Sequence, residues 1–337
     1  MVVKKSEGES SRVTRHAGWL LGLLVLSAVF VVVLQKGDIE RFAELVYSIS
    51  FPWLCLALLL QIATYICAAM AWQRGLQGAG VRQPVRGFVS LAVSKLFIEH
   101  TVPTGGISGT VFFVVSLVRR GIPESVSLAV LLASLVSNYG ANVLVALVGM
   151  ALLTRSGEVQ PWMVSVFLLF TLFCLFIPAV VLLLRYCGCR TRSWISRVPR
   201  LAPLLQTIIN VPTSLLRQPW LLLVMVCLNV AVIILDASTL WVILHALALE
   251  ENYKTAFLSY LLALMVMTLG PIPMGLGTFE AACTSMLVHY GTPVEEALAA
   301  TLLLRGYTTW LPLLPGLFLV SKELRSPNGQ GASRHIP

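Results

Sequence analysis

Pro103-Thr104-Gly105-Gly106 and Pro273-Met274-Gly275-Leu276-Gly277 interrupt two long apolar stretches of this 337-residue chain. In each case a second break follows 18 residues after the first proline, at Gly121-Ile122-Pro123 and at Gly291-Thr292-Pro293. Proline and glycine end or bend helices, because proline lacks an amide proton and glycine lacks a side chain. Breaks at matching positions of two apolar halves predict a structural repeat, and they are typical of substrate sites in membrane transporters.

The composition is that of a protein embedded in a membrane. Hydrophobic residues make up 57% of the chain and charged residues 12%, with a mean hydropathy of +0.86. Soluble domains carry about 25% charged residues. We therefore predict an all-α polytopic membrane protein that forms a single integral membrane domain over residues 1–337. The net charge of +9 does not indicate nucleic-acid binding, because the basic residues lie in short loops between apolar segments.

Six apolar segments reach the length of about 20 residues that a membrane-spanning helix needs. They are 17–35, 51–72, 124–153, 161–184, 219–248 and 294–320. Two further apolar regions, 87–118 and 255–289, are divided by the Pro/Gly breaks into halves of about 14 residues, which are too short to span. We interpret each region as a re-entrant helical hairpin that enters the membrane, turns at a glycine-rich tip and leaves by the same face.

The positions of Lys and Arg indicate the orientation. With hairpins that do not cross, 18 of the 24 basic residues lie on one side of the membrane and four on the other. Short loops rich in Lys and Arg face the cytoplasm. This predicts that both termini and the basic loop 185–218 are cytoplasmic. The two remaining basic residues, Lys95 and Arg305, lie within the membrane.

The two hairpins then enter the membrane from opposite faces. We predict an inverted repeat, with repeat unit one at about 87–153 and repeat unit two at about 255–320. An ungapped comparison of residues 88–139 with 258–309 gives ten identities, four of which are Pro or Gly at the breaks.

Ionisable side chains within membrane segments are costly and are usually functional. An unpaired arginine at membrane depth costs about 3 kcal/mol, so Arg305 needs a partner, and Asp236 and Glu280 are the candidates. The pair would either hold the second hairpin in place or form part of a path for a charged headgroup. In the first hairpin, Lys95 and Glu99 lie one helical turn apart, and His100 follows them.

The glycines at the two tips are the remaining candidate binding residues. Bare backbone can approach a ligand closely, and the start of the helix after each tip favours an anion. Tight helix packing is the alternative reason for the same residues, which are Gly105, Gly106, Gly275 and Gly277. The chain contains no H-E-x-x-H, G-x-S-x-G or G-x-x-x-x-G-K-[ST] motif. We therefore expect no enzyme activity, catalytic residue, metal site or cofactor.

The residues from Pro271 to Glu280, from Gly291 to Arg305 and from Thr309 to Pro312 resemble a known family. They are similar to motifs in the flippase-like transmembrane region of lysylphosphatidylglycerol synthases, and Pro103-Thr104-Gly105-Gly106 resembles the first glycine-rich motif of that family. The chain continues for 17 residues after the last predicted span. We therefore expect a stand-alone member without the soluble synthase domain.

The resemblance implies a helical bundle in the cytoplasmic (inner) membrane of a bacterium or archaeon. It implies a lipid translocase that moves a polar, anionic lipid between leaflets, with membrane lipids as partners: an anionic phospholipid, a polyprenyl-linked lipid or another polar lipid. Two alternatives remain open, a secondary transporter of a small soluble anion and a non-transporting partner of a lipid-modifying enzyme. Homo-oligomers are also compatible with the sequence.

Overall fold

A computed structural model describes residues 50–101, 107–186, 215–270, 272 and 275–325. Within these ranges every regular element is a helix, which confirms the all-α prediction. The predicted first span, 17–35, and most of the basic loop 185–218 lie outside the described residues.

Ten α-helices and one short π-helix follow one another in the described part of the chain. They are α1 (Phe51–Gly78), α2 (Val85–Thr101), α3 (Ile107–Arg119), α4 (Glu124–Ser156), α5 (Pro161–Tyr186), α6 (Pro219–Ala246), α7 (Tyr253–Leu269), α8 (Thr278–His289), α9 (Val294–Arg305), the π-helix Gly306–Trp310 and α10 (Leu313–Arg325). Helices α1, α4, α5 and α6 are long and apolar enough to cross a membrane, and they correspond to four predicted spans.

Much of the apolar surface of these long helices is not covered by protein. Leu168, Leu172 and Phe176 follow one another at intervals of four residues on α5, and each is more than half exposed. That spacing places them on one face of the helix. An apolar stripe of this kind is stable only against hydrocarbon or another apolar partner. The protein is therefore a multi-pass membrane protein, as its composition predicted.

The last predicted span, 294–320, is not one continuous α-helix. Helix α9 ends at Arg305, and the chain continues as the π-helix, in which the Leu311 amide donates to the Gly306 carbonyl at 2.7 Å. Two residues interrupt the α-helical pattern here. Gly306 contributes no side-chain packing, and Pro312 has no amide proton to continue the ladder. The break immediately after Arg305 is a feature that the hydropathy of the segment did not reveal.

Helices α2 and α3 fold back on each other around the first break. Near the tip, the Ser108 hydroxyl donates to the Ile98 carbonyl at 3.4 Å. At the open end, the Arg120 guanidinium donates to the Gly87 carbonyl at 2.9 Å. Contacts at both ends show that the two helices run antiparallel, as a hairpin requires.

Helices α7 and α8 form the second hairpin and pack directly on each other. Its open end is held by the Thr292 hydroxyl, which donates to the Glu251 carboxylate at 2.8 Å. The Lys254 ammonium lies 6.0 Å from the centre of the Tyr290 ring. Helix α8 has 12 residues and is only about 18 Å long, well short of the ~30 Å hydrocarbon layer. Entry of the two hairpins from opposite faces stays a prediction.

The turn after each hairpin has the same local geometry. Gly121 and Gly291 both adopt positive φ angles, of 80° and 104°. In each turn the amide that follows the glycine donates to a carbonyl five residues earlier, which satisfies the end of the preceding helix. These bonds join Ile122 to Leu117 at 3.2 Å and Thr292 to Leu287 at 3.1 Å. The repeat units at 87–153 and 255–320 remain a prediction.

The fold contains two compact units. The first comprises the described residues within Met1–Thr64, Leu96–Ser108 and Ile234–Leu314, and the second those within Tyr65–Lys95, Gly109–Ile233 and Pro315–Pro337. Asp236, Glu280 and Arg305 belong to the first unit, and Lys95 belongs to the second.

Candidate functional site

The tip of the second hairpin depends on two glycines with left-handed backbone. Gly275 has a φ of 61° and Gly277 a φ of 80°, a region that residues with side chains rarely adopt. A Cβ atom on Gly275 would overlap the side chain of Met267 on α7. Gly275 therefore lets the tip pack closely on α7, which is the packing role that the sequence left as one of two alternatives.

Glu280 closes the start of α8. It is the third residue of the helix, and its Oε2 atom accepts a hydrogen bond from the Gly277 amide at 2.7 Å. This is the glutamate half of a capping box. The negative charge also lies at the positive end of the helix dipole. Glu280 thus fixes the backbone that leads out of the hairpin tip.

The second oxygen of Glu280 holds Arg305. The Nε atom of Arg305 lies 2.6 Å from Oε1 of Glu280, and the two side chains are only 7% and 3% exposed. The pair joins α8 to the end of α9, within the first unit. A buried ion pair of this geometry is strongly destabilised when one partner is removed, because the other charge remains buried. Of the two predicted partners for Arg305, Glu280 is the one that makes the contact.

Arg305 has further partners at the break in the last apolar segment. Its Nη1 atom donates to the Thr309 hydroxyl at 3.2 Å, across the π-helix. The guanidinium carbon lies 4.8 Å from the centre of the Phe279 ring, a cation–π contact. π-helical turns occur frequently at functional sites. The guanidinium is therefore held by a carboxylate, a hydroxyl and an aromatic ring at an irregular stretch of backbone.

Asp236 is bound differently from Glu280. Its Oδ2 accepts a hydrogen bond from the Tyr260 hydroxyl of α7 at 2.9 Å. Its Oδ1 lies 3.2 Å from the Thr64 hydroxyl of α1, which shares its one proton between this oxygen and the Leu60 carbonyl, also at 3.2 Å. The Gln61 side chain of α1 also hydrogen-bonds to this carboxylate. Among the described residues, no basic side chain pairs with Asp236. Asp236 is therefore not the ion-pair partner of Arg305, because hydroxyl and amide groups occupy its carboxylate oxygens.

An aromatic pair connects the two carboxylates. The Tyr260 ring meets the Phe279 ring edge to face, with centres 6.0 Å apart and planes at 69°. The hydroxyl of Tyr260 donates to Asp236, and the ring of Phe279 contacts the Arg305 guanidinium. A continuous series of contacts therefore runs within the first unit from Asp236 to the Glu280–Arg305 pair.

The predicted site residues of the first hairpin lie on or after α2. Lys95 is partly buried, with its ammonium 6.0 Å from the centre of the Trp72 ring, and Trp72 donates to the Ser134 hydroxyl at 3.0 Å. Glu99 lies one helical turn after Lys95. His100 belongs to α2, but its side chain lies outside the described residues, as do Gly105 and Gly106.

Several contributors to this site were not predicted from the sequence. Gln61 and Thr64 are polar residues in the apolar segment 51–72, and they lie three residues apart on one face of α1. That spacing was the available signal. Tyr260, Phe279 and Thr309 resemble ordinary membrane-helix residues, and only the fold brings them to the charged side chains.

The chain was also compared with known proteins. No curated protein matches the chain. The family model described as the lysylphosphatidylglycerol synthase TM region matches residues 19–316, which include both hairpins and Arg305. Because this match covers most of the chain, the protein belongs to the lysylphosphatidylglycerol synthase TM-region family.

Proposed function

We propose that this protein is a lipid translocase of the cytoplasmic membrane, with both termini in the cytoplasm. It moves a polar lipid with an anionic headgroup between the two leaflets and performs no covalent chemistry. The headgroup passes Arg305 at the tip of the second hairpin, while the acyl chains stay in the surrounding hydrocarbon.

The observation that carries this proposal is the buried pair of Glu280 and Arg305 beside two interruptions of the helical backbone. The hairpin tip at Gly275–Gly277 precedes Glu280, and the π-helix follows Arg305. Charges in a membrane segment are retained where they bind a partner or a substrate. Irregular backbone at membrane depth is tolerated only where protein or a water-filled cavity surrounds it. Together these features support a polar route at this position.

Arg305 has the chemistry to bind a phosphate-containing headgroup. A guanidinium offers parallel N–H donors that match phosphate and carboxylate oxygens. In the resting protein one of these donors is bound to Glu280. The headgroup replaces Glu280 on Arg305 during passage, and Glu280 keeps its bond to the Gly277 amide. When the headgroup leaves, the ion pair closes again, so neither charge stays unpaired.

Membership of the family favours a lipid over a small soluble anion. The family is named for the membrane region of a synthase that makes a phospholipid. A lipid headgroup also needs less of the route to be polar, because its acyl chains travel in hydrocarbon. The exposed apolar faces of α5 and α6, with Phe176 and Trp220 among them, are compatible with lipid at the protein surface.

The test is translocation in vesicles of phosphatidylcholine and phosphatidylglycerol that contain the purified protein. Phosphatidylglycerol carries a fluorescent label on one acyl chain, and an impermeant reductant measures the labelled fraction in the outer leaflet. The variants are Arg305→Lys and the double variant Glu280→Gln/Arg305→Gln, which removes both buried charges together. Arg155→Gln is the matched control, because Arg155 is exposed in the last turn of α4.

We expect both Arg305 variants to lower the translocation rate about 10- to 100-fold, because each loses a hydrogen bond between a charged side chain and the headgroup. Arg155→Gln keeps the wild-type rate. If the double variant folds and moves lipid as fast as wild type, Arg305 is not the headgroup site. If the wild type moves no lipid at all, the proposed function is wrong.

A further inference from the structure

We infer that Asp236 is a proton-binding site whose two protonation states are both stabilised by Gln61, and that proton binding there drives lipid movement. The second half of this inference rests on the proposed function, whereas the proton site does not. The inference is carried by the partners of Asp236, by an unpartnered atom of Gln61 and by the contacts that lead to Arg305.

The first observation is that Asp236 has only uncharged partners among the described residues. Thr64 and Tyr260 donate hydroxyl protons to its two oxygens, and Gln61 is the third partner. Glu280, by contrast, has a guanidinium at 2.6 Å. A carboxylate inside a membrane protein without a cationic partner is costly in the charged form. A proton removes that cost, so Asp236 is suited to gain and lose one.

The second observation concerns Gln61, whose side chain is buried with 2% of the residue exposed. Its Oε1 atom has no hydrogen-bond partner among the described residues. A buried acceptor without a donor is unfavourable. A neutral carboxyl group carries the missing donor, because its O–H can donate to an amide oxygen. Gln61 Oε1 thus lacks a donor when Asp236 is ionised and gains one when Asp236 is protonated.

The exchange needs only a rotation of the Gln61 amide. With Asp236 ionised, the Gln61 NH₂ group donates to the carboxylate. When a proton from water binds a carboxylate oxygen, the amide turns over and its Oε1 accepts the new O–H. Release of the proton to water reverses both changes. The step moves one proton and one charge, and no bond between heavy atoms is made or broken.

The described side chains that face Asp236 come from two helices, and only one of them, Tyr260, is titratable. On α1 its neighbours are the uncharged Gln61 and Thr64, and on α7 its neighbour is Tyr260. Beyond Tyr260 lie Phe279 and then Arg305, which is paired with Glu280. The charged side chains of Arg305 and Glu280 therefore do not contact Asp236 directly, because Tyr260 and Phe279 lie between them.

The third observation is the route from Asp236 to the headgroup site. Tyr260 donates to Asp236 at 2.9 Å, its ring contacts Phe279, and Phe279 lies under the Arg305 guanidinium. A neutral carboxyl is a weaker acceptor than a carboxylate, so protonation loosens the bond that holds Tyr260. The ring pair can then shift and change the support of Arg305. Tyr260 is a positioning residue in this scheme, because it acts through Phe279.

The proton site is tested without lipid transport. Infrared difference spectra of the purified protein between alkaline and acidic buffer report the carbonyl stretch of a carboxyl group that becomes protonated. We expect a band in wild type that is lost in Asp236→Asn and retained in Glu250→Gln, since Glu250 is exposed in a loop. Asp236→Glu should keep a titrating band. It is the control that shows whether loss of the band in Asp236→Asn comes from loss of the carboxyl group or from misfolding. An unchanged spectrum in a folded Asp236→Asn protein would overturn the proton site. A band that responds to sodium at constant pH would assign the site to sodium instead.

The coupling is tested in the labelled vesicles with an imposed pH gradient. If one proton moves with each lipid, the amounts of labelled phosphatidylglycerol in the two leaflets differ by up to about tenfold for each unit of pH difference across the membrane. We expect this bias in wild type and in Glu250→Gln, and an even distribution in Asp236→Asn or after addition of a protonophore. A lipid distribution that does not change with the pH gradient would overturn the coupling but not the proposed function. A titrating Asp236 in a protein that moves no lipid would contradict the proposed function and leave the proton site standing.

Discussion

Two acidic side chains of the first unit, Glu280 and Asp236, illustrate opposite ways to keep a carboxylate in a membrane protein. Glu280 uses one oxygen for the Arg305 guanidinium and the other for the Gly277 amide. Asp236 has hydroxyl and amide partners and no cation among the described residues. The first arrangement balances the carboxylate with a guanidinium of the protein, whereas the second contains no such cation in the described part of the chain and relies on a proton to neutralise the carboxylate.

Glu280 is therefore mainly part of the fold, whereas Asp236 is able to change its protonation state. Glu280 ties together the hairpin tip, α8 and the end of α9, so its loss should affect the fold. Asp236 connects α1, α6 and α7 through bonds that either protonation state can make. Variants of the two sites should therefore differ in how much stability they lose.

The largest loss of stability is expected for Arg305→Ala, which leaves the Glu280 carboxylate buried without its cation. Removal of one partner of a buried ion pair costs about 3–5 kcal/mol. Glu280→Gln/Arg305→Gln should recover most of that loss, since neither residue is then charged. Unfolding in detergent, followed by the labelling of the thiols that the fold buries, Cys174 and Cys283, measures both. Equal losses in the single and double variants would mean that the pair does not hold the hairpin.

Gly275→Ala should be the next most damaging change. It combines a φ of 61° with an overlap on Met267, for a cost of about 2–3 kcal/mol. Gly121→Ala is the matched control, because Gly121 has a φ of 80° and open space around it. It should cost about 1 kcal/mol, from the backbone alone. Thermal unfolding of the two variants gives the difference, and an equal loss would refute close packing at the tip.

Tyr260→Phe should reduce stability by about 1 kcal/mol, because it removes one hydrogen bond and keeps the ring contact with Phe279. Its effect on transport should be larger than its effect on stability. The lipid distribution under a pH gradient should become less biased, while the rate without a gradient stays close to wild type. A variant that keeps the full bias would remove Tyr260 from the coupling route.

Asp236→Asn should change stability least, by less than about 1 kcal/mol, because the amide keeps the size and most hydrogen bonds of the neutral carboxyl. The same denaturation experiment gives the comparison with Arg305→Ala. A loss as large as that of Arg305→Ala would show that the Asp236 charge is part of the fold, and the contrast between the two carboxylates would disappear.

The sequence predicts most of the architecture because membrane helices are specified by length and apolarity. Four spans follow from those two properties, and both helix–break–helix regions follow from the Pro/Gly clusters that divide an apolar stretch. The exception is 294–320, where Gly306 and Pro312 divide a segment that hydropathy treats as uniform. Hydropathy averages over a window, whereas a helix ends at individual residues.

The candidate site was only partly predictable. A buried arginine needs a carboxylate, and this requirement predicts Glu280 as one of two partners for Arg305. It could not choose between Glu280 and Asp236, because the choice depends on which helices touch. It also could not identify Gln61 or Phe279, since amides and phenylalanines in apolar helices rarely mark a site by themselves.

The most direct test of lipid translocation compares a lipid and a soluble anion in the same vesicles. Vesicles with the wild-type protein contain acyl-labelled phosphatidylglycerol in the membrane and radiolabelled phosphate in the lumen. We expect the protein to move the labelled lipid between leaflets faster than in vesicles without protein, and to release no more phosphate than those vesicles do. Release of phosphate without movement of the lipid would contradict lipid translocation and indicate a transporter of small anions.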